Sequence, residues 1–229
     1  MTSTSRHIDR EYEAELRRLR DQLLLMGARV EALLRDTVNA LLRRDAARLR
    51  MLFRTDDAID QLEVEIDELC LRILARRQPV ASDLRFITVT LKAVTDLERM
   101  GDLAANMCTQ GAALLQQSDV PFPAEVGRMA DAVQRMVHDA LDALVRGDAE
   151  EASAVIHADA EVDACYATVF AHLLEDMQQE PTHIERAAKM QAISKCLERI
   201  ADHATNLAEL VVFLVKGKDI RHAPWPTVA

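Results

Sequence analysis

The string Asp-Leu-Glu-Arg-Met-Gly-Asp at residues 96–102 returns one hundred positions later as Cys-Leu-Glu-Arg-Ile-Ala-Asp at residues 196–202. Each copy places a glutamate and an aspartate four residues apart. On a helix these two positions lie on one face, where two like charges destabilise the helix by roughly 0.2–0.5 kcal/mol. The repetition of this pair indicates an internal duplication of the chain. Because each pair is mildly unfavourable by itself, it also indicates a cation that neutralises it.

The composition around this repeat predicts an all-α protein. The chain of 229 residues has only six glycines and six prolines, and aromatic residues make up 3%. This balance argues against a β-sandwich and favours long helices. Apolar residues with helical spacing form the seam of the first helix at Leu16, Leu19, Leu23, Met26, Val30 and Leu33.

The breaks between apolar seams predict six long antiparallel helices, arranged as two tandem, pseudo-symmetric three-helix bundles. The first bundle covers residues 8–117 and the second 123–216, and residues 217–229 form an irregular tail. The strongest break is at residues 116–123. A continuous second helix follows a turn at Arg44-Asp45, and Ser82 is the predicted N-cap of the third helix. Phe170 is expected on the inner face of the fifth.

Carboxylates interrupt these seams where core residues are expected. Asp56 falls between Leu52 and Ile59, and Glu98 and Glu198 replace apolar residues on the third and sixth helices. Because consecutive helices of a bundle are neighbours, we expect two pairs to face each other in each bundle. The candidate metal ligands are Asp56, Asp60, Glu98 and Asp102 in the first bundle, and Asp159, Asp163, Glu198 and Asp202 in the second.

An isolated acidic pair is usually a solvated helix face, since 38 of the 229 residues are acidic. Here the pairs repeat at matched positions and interrupt the core. Four crowded carboxylates must either take up protons or bind cations, and carboxylate-only sites favour Mg²⁺, Mn²⁺, Ca²⁺ or iron. Asn106 and Asn206 could complete such sites or bond along the helix surface, and His203 fits an interhelix contact better than a ligand.

Charge and cysteine usage narrow the class of protein. The net charge of −10 disfavours a general nucleic-acid binder. Residues 1–118 contribute −1 and residues 119–229 contribute −9, so the halves could face different partners. The four cysteines have no CxxC spacing and fit a reducing cytoplasm. A polar start and the absence of an apolar run of ~18 residues also predict a cytoplasmic protein.

The residues alone leave an enzymatic alternative open. A ferritin-like di-iron bundle needs Glu-x-x-His on two helices, and the one example here, Glu180 to His183, contains Pro181. A metal-dependent hydrolase of phosphorylated metabolites or nucleotides could instead use the carboxylates to bind Mg²⁺ and activate water. Arg99 and Arg199 would be its phosphate clamp, although each directly follows a glutamate and fits local pairing better.

Three segments resemble the PhoU family of phosphate-transport regulators. They are Gln-Pro-Val-Ala-Ser-Asp-Leu-Arg at residues 78–85, the string at 96–102, and Leu-Glu-Arg-Ile-Ala-Asp-His-Ala-Thr-Asn-Leu-Ala-Glu at 197–209. The resemblance covers about residues 10–222. Ala201 departs from the family, which usually has glycine there.

The resemblance implies a non-enzymatic regulator with two three-helix bundles and multinuclear metal clusters on the eight carboxylates named above. The metal would be iron or zinc, with magnesium or manganese also compatible. It implies a cytoplasmic homodimer that represses phosphate-starvation signalling and phosphate uptake. Its expected partners are the ATP-binding subunit of a high-affinity phosphate ABC transporter and a sensor histidine kinase, so its contact with the membrane would be indirect.

Overall fold

The computed structural model describes residues 3–117 and 122–220, and these residues contain helices and short connections but no strand. The prediction of an all-α fold is therefore confirmed. Residues 118–121 of the predicted break and residues 221–229 of the predicted tail lie outside the described residues. The helices are α1 (Ser3–Leu42), α2 (Ala46–Leu52), α3 (Asp57–Arg76), α4 (Ala81–Gln117), α5 (Ala124–Arg146), α6 (Ala149–Gln179) and α7 (Ile184–Lys216), with 3₁₀ turns at Phe53–Thr55 and Pro181–His183.

The first interhelix turn has the same construction in both halves. Arg44 and Gly147 adopt left-handed backbone conformations, with φ of 59° and 63°. The next residues, Asp45 and Asp148, donate their N–H groups to carbonyls five residues earlier at 2.8 and 3.0 Å. Their side chains then cap the following helix by accepting backbone N–H bonds. This turn ends one helix and starts the next.

The second predicted helix is not continuous, which corrects that prediction. It divides into α2 and α3 at the 3₁₀ turn Phe53–Thr55. The hydroxyl of Thr55 donates to the carbonyl oxygen of Leu52 at 2.6 Å. A threonine hydroxyl that bonds back to the main chain competes with regular helical bonding. Asp56 follows this turn and is the N-cap residue directly before α3.

Two other local predictions were wrong. The third helix begins at Ala81, so Ser82 lies inside the helix and is not its N-cap. The N–H of Asp83 instead bonds to the carbonyl of Val80, and this turn starts the helix. Phe170 is 47% exposed, because it lies on a face of α6 that the other described helices leave open.

One continuous hydrophobic core runs through both halves of the chain. Five of the six predicted seam residues of α1, from Leu19 to Leu33, are buried, and Leu16 packs against them. Burial of each side chain of this size contributes roughly 1.5–3 kcal/mol to the stability of the folded protein. Helices α4 and α7 pack against each other at the centre, with α3 on α4 and α6 on α7. This arrangement turns the carboxylates of α3 toward α4, and those of α6 toward α7.

Within the described ranges, no helix is both long enough and apolar enough to cross a membrane.

Candidate metal centres

The first carboxylate cluster lies between α3 and α4. Asp56 directly precedes α3 and lies one turn from Asp60, and Glu98 and Asp102 are one turn apart on α4. One oxygen from each of Asp56, Asp60 and Asp102 lies within 4.8 Å of the other two. The structure therefore brings together the two pairs that the sequence predicts to face each other.

Asp56 forms the inner side of this cluster. Its Oδ1 atom is buried, and no described residue supplies it with a hydrogen bond. A Cβ atom added to Gly101 would lie 2.8 Å from this oxygen, so the missing side chain of Gly101 leaves room for the carboxylate against α4. An unsatisfied buried acceptor costs about 1–3 kcal/mol. Because its neighbours are also carboxyl groups, this oxygen is satisfied either by a proton shared with one of them or by a bound cation.

Burial, together with crowding by like charges, raises the pKa values of Asp56 and Glu98. Burial, followed by the charges of Asp60, Asp102 and Glu98, raises the pKa of Asp56 from 3.8 to about 7. Burial and the charge of Asp102 raise the pKa of Glu98 from 4.5 to about 7, although Arg99 opposes this change. A cation that binds here at neutral pH therefore displaces protons.

A further carboxylate, Glu63, was missed by the sequence prediction. Burial, followed by the charges of Asp67 and Asp60, raises its pKa. Glu63 follows Asp60 by three residues and Asp56 by seven, which places all three on one face of α3. That spacing could have identified Glu63. The comparison between the two halves could not, because Tyr166 occupies the corresponding position of the second half.

The second cluster lies between α6 and α7 and is built from the corresponding residues. Asp159 and Asp163 come from α6, and Glu198 and Asp202 come from α7. Burial, followed by the charges of Asp163, Asp202 and Glu198, raises the pKa of Asp159 from 3.8 to about 6. The burial pattern of the first cluster is repeated, because Asp159 and Glu198 are half-buried whereas Asp163 and Asp202 are exposed.

The second cluster differs in holding an ammonium group. Nζ of Lys195 donates to Oε1 of Glu198 at 2.6 Å. The other oxygen, Oε2, is buried and lacks a hydrogen-bond partner in the described part of the chain. Across residues 3–117 and 122–220, three ligand oxygens within 4.8 Å of one another occur at the first cluster but not at the second.

Residues beside the clusters have structural contacts. His203 Nδ1 lies 2.8 Å from Asp96 Oδ1, and the amide of Asn206 donates to the same oxygen at 3.3 Å. These two side chains connect α7 to α4, as expected for His203. Arg99 lies near its own helix neighbours, with Nε 3.5 Å from Glu98 Oε2 and Nη1 3.7 Å from Asp102 Oδ2.

Both clusters fit a hard or borderline cation. Each offers four carboxylates on two packed helices, and each contains one buried carboxylate oxygen that no described donor reaches. Carboxylate oxygens are the ligands that magnesium, manganese and iron prefer, and zinc also accepts them. A bound cation would supply the missing partner and remove the repulsion within each cluster.

The tandem bundles with paired carboxylate clusters define a class of helical, carboxylate-rich protein with internal two-fold repetition. The family model described as the PhoU domain matches this chain twice, at residues 23–110 and 126–211. The chain belongs to the PhoU family. The two matches fall one on each half, which agrees with the duplication seen in the sequence.

Relatives share both the sequence and the fold over nearly the whole chain. The chain is 43% identical to a phosphate-specific transport system accessory protein PhoU homolog of Pseudomonas aeruginosa over 96% of this chain and 91% of that protein. It is 34% identical to the Escherichia coli phosphate-specific transport system accessory protein PhoU, over 95% of this chain and 90% of that protein. The crystal structure of PhoU from Pseudomonas aeruginosa superimposes with a TM-score of 0.87, covering 90% of this chain and 100% of that one.

A more distant solved structure has the same fold. The phosphate transport system regulatory protein PhoU from Streptococcus pneumoniae matches with a TM-score of 0.84 at 27% identity. The match covers 91% of this chain and 98% of that one. The architecture is therefore retained where roughly three quarters of the residues differ.

Proposed function

We propose that this chain is a non-enzymatic, metal-binding regulatory adaptor in phosphate homeostasis. It couples a high-affinity phosphate ABC transporter, through the ATP-binding subunit, to a sensor histidine kinase, and it represses phosphate-starvation signalling and phosphate uptake. The names of its relatives support this role, because they describe accessory and regulatory proteins of phosphate transport systems. A homodimer in the cytoplasm is the expected form.

One observation carries the metal-binding part of the proposal. Asp56 in the first cluster and Glu198 in the second each bury a carboxylate oxygen without a partner among the described residues. Burial, followed by like charge, raises the pKa of Asp56 itself and the pKa of Asp159 beside Glu198. A fold that keeps this arrangement twice is stabilised when cations fill it.

The carboxylates hold the metal and the helices set their spacing. Asp56, Asp60, Glu98 and Asp102 would bind one multinuclear cluster, with Glu63 at its edge. Asp159, Asp163, Glu198 and Asp202 would bind the other. Iron or zinc is the expected metal, and magnesium or manganese is compatible with the same oxygens. When bound, the cations reverse the local charge from negative to positive, which creates a surface for acidic groups of a partner or for phosphate.

Partner binding tests the adaptor function. Isothermal titration of the purified transporter ATP-binding subunit into metal-loaded and metal-free protein should show tighter binding to the loaded form. The double variant Glu98→Gln/Glu198→Gln, which removes a ligand from each cluster, should lose this difference, whereas Asp131→Asn, which removes an exposed carboxylate on α5, should keep it. Equal affinity of the loaded and metal-free forms would contradict a metal-dependent adaptor.

The hydrolase alternative predicts a different result. Metal-loaded protein would turn over nucleotides or polyphosphate, and the variants Glu98→Gln and Glu198→Gln would lose that turnover. We expect no metal-dependent release of phosphate from either substrate. Turnover that depends on these two glutamates would favour the enzyme over the adaptor.

A further inference from the structure

The two clusters share four ligand positions, but their surroundings differ. The difference is found at three positions that correspond between the halves. Where the first half has Glu63, Thr95 and Gly101, the second half has Tyr166, Lys195 and Ala201. Each of these three changes makes the second cluster less able to hold a cation.

Lys195 is the first difference. Its Nζ donates to Glu198 Oε1 at 2.6 Å, and the Glu198 side chain is only 15% exposed. At the corresponding position of α4, the hydroxyl of Thr95 instead bonds to the main-chain oxygen of Leu91. Arg99 is the cation beside the first cluster, but its nitrogens stay 3.5 and 3.7 Å from the carboxylates. Charge-assisted hydrogen bonds are shorter than this, so the internal cation is held much more closely in the second cluster.

Tyr166 is the second difference, and it holds Lys195 in place. The ammonium group lies 5.3 Å from the centre of the Tyr166 ring. The tyrosine hydroxyl in turn accepts a hydrogen bond from Gln191 at 2.8 Å. Contact with an aromatic face favours a cation. The first half has a carboxylate, Glu63, at the position of this ring. Tyr166 therefore stabilises the lysine cation in the second cluster, whereas Glu63 is an additional candidate ligand in the first.

Ala201 is the third difference. Gly101 lets Asp56 Oδ1 approach α4 so closely that an added Cβ would lie 2.8 Å from it. Ala201 has a Cβ at the corresponding place on α7 and is fully buried. We therefore expect this Cβ to hold the Asp159 carboxylate farther from α7 than the Asp56 carboxylate lies from α4. This agrees with the finding that, of the two clusters as described, only the first gathers three ligand oxygens within 4.8 Å.

We propose that the two clusters bind cations in order, the first tightly and the second weakly, because Lys195 occupies Glu198 as an internal counter-ion that the metal must displace. This inference rests on the proposed metal-binding function. Its consequence is that the second cluster changes occupancy over a range of metal concentration in which the first stays full. The metal-dependent change would then occur on α6 and α7, in the half of the chain that carries −9.

A manganese titration tests the order of binding. Free Mn²⁺ is measured by electron paramagnetic resonance as it is added to protein stripped with a chelator. Wild-type protein should show a tight and a weak class of sites. Glu98→Gln should remove the tight class, and Glu198→Gln should remove the weak one. The reverse assignment, or a single class with the same affinity at both clusters, would overturn the proposal.

Two substitutions test the role of Lys195. Lys195→Met should tighten the weak class about two- to fivefold, which is the size expected for the loss of a competing ion pair whose lysine is 47% exposed. Thr95→Lys should weaken the tight class in return. The matched control is Lys189→Met on the same helix, since Lys189 pairs with Glu185 at 2.6 Å and not with either cluster. It should leave both classes unchanged.

The outcomes separate this inference from the proposed function. If Lys195→Met remains helical by circular dichroism and leaves the weak class unchanged, the counter-ion proposal is wrong while metal binding stands. If wild-type protein binds no Mn²⁺, zinc or iron at either cluster, the metal-binding function itself fails, and the order of binding fails with it.

Discussion

Replacing Asp56 by asparagine is expected to stabilise the metal-free protein above neutral pH. Burial and three neighbouring carboxylates raise the pKa of Asp56 from 3.8 to about 7. Well below pH 3.8 the group is protonated in both the folded and the unfolded chain. As the pH rises toward 7, the unfolded chain releases its proton first, so the free energy of unfolding falls with increasing pH. Above pH 7 the full repulsion is present.

The pKa change sets the size of this effect. A pKa change from 3.8 to about 7 means that ionised Asp56 lowers the free energy of unfolding by at most about 4 kcal/mol, at about 1.4 kcal/mol for each pKa unit. Asp56 is half-buried, so solvent screening reduces the expected gain to about 1–2 kcal/mol. For a chain of this size the melting temperature should rise by about 2–8 °C at pH 8. At pH 4 the gain should be lost.

Thermal unfolding followed by circular dichroism, with a chelator present, measures this difference at both pH values. Asp131→Asn is the matched control, because it removes the same charge from an exposed position on α5 and should change the melting temperature little. An Asp56→Asn variant with the same melting temperature as wild type at pH 8, or with an equal gain at pH 4 and pH 8, would refute the account of like-charge crowding.

Two other substitutions test the packing around the clusters and the turns. Gly101→Ala should weaken metal binding at the first cluster by about tenfold in an Mn²⁺ titration, since its Cβ would displace the Asp56 carboxylate. The control Gly127→Ala on α5, where a Cβ would meet no described atom within 4 Å, should leave binding unchanged and add up to about 1 kcal/mol of stability. Asp148→Ala should lower the free energy of unfolding by about 1 kcal/mol, because Asp148 caps α6, and urea denaturation measures that loss. Unchanged binding in Gly101→Ala, or unchanged stability in Asp148→Ala, would show that the corresponding contact is not important.

Much of the fold and the positions of the clusters follow from local rules. Helical spacing of apolar residues locates the seams, and a carboxylate such as Glu98 in a seam must face a neighbouring helix. The turn at Asp45 and its copy at Asp148 can be read from the duplicated sequence. The sequence therefore predicts that α3 and α4 bring two acidic pairs together.

The remaining features depend on contacts that do not repeat. The break before α3 is a 3₁₀ turn at Phe53–Thr55, a local feature that helix periodicity does not register. Glu63 was missed because its counterpart in the second half is Tyr166. The contact between Lys195 and Tyr166 joins two helices across a long separation in sequence, so only the packed structure reveals it.

The metal content of the purified protein tests the central claim most directly. Elemental analysis of wild-type protein reconstituted with iron, zinc or manganese should find bound metal. The variants Asp56→Asn and Glu98→Gln should lose the metal bound by the first cluster. The variants Asp159→Asn and Glu198→Gln should lose the metal bound by the second cluster. Wild-type protein that retains no metal after reconstitution, or four folded variants that all keep the full wild-type content, would contradict the claim that these carboxylates bind cations.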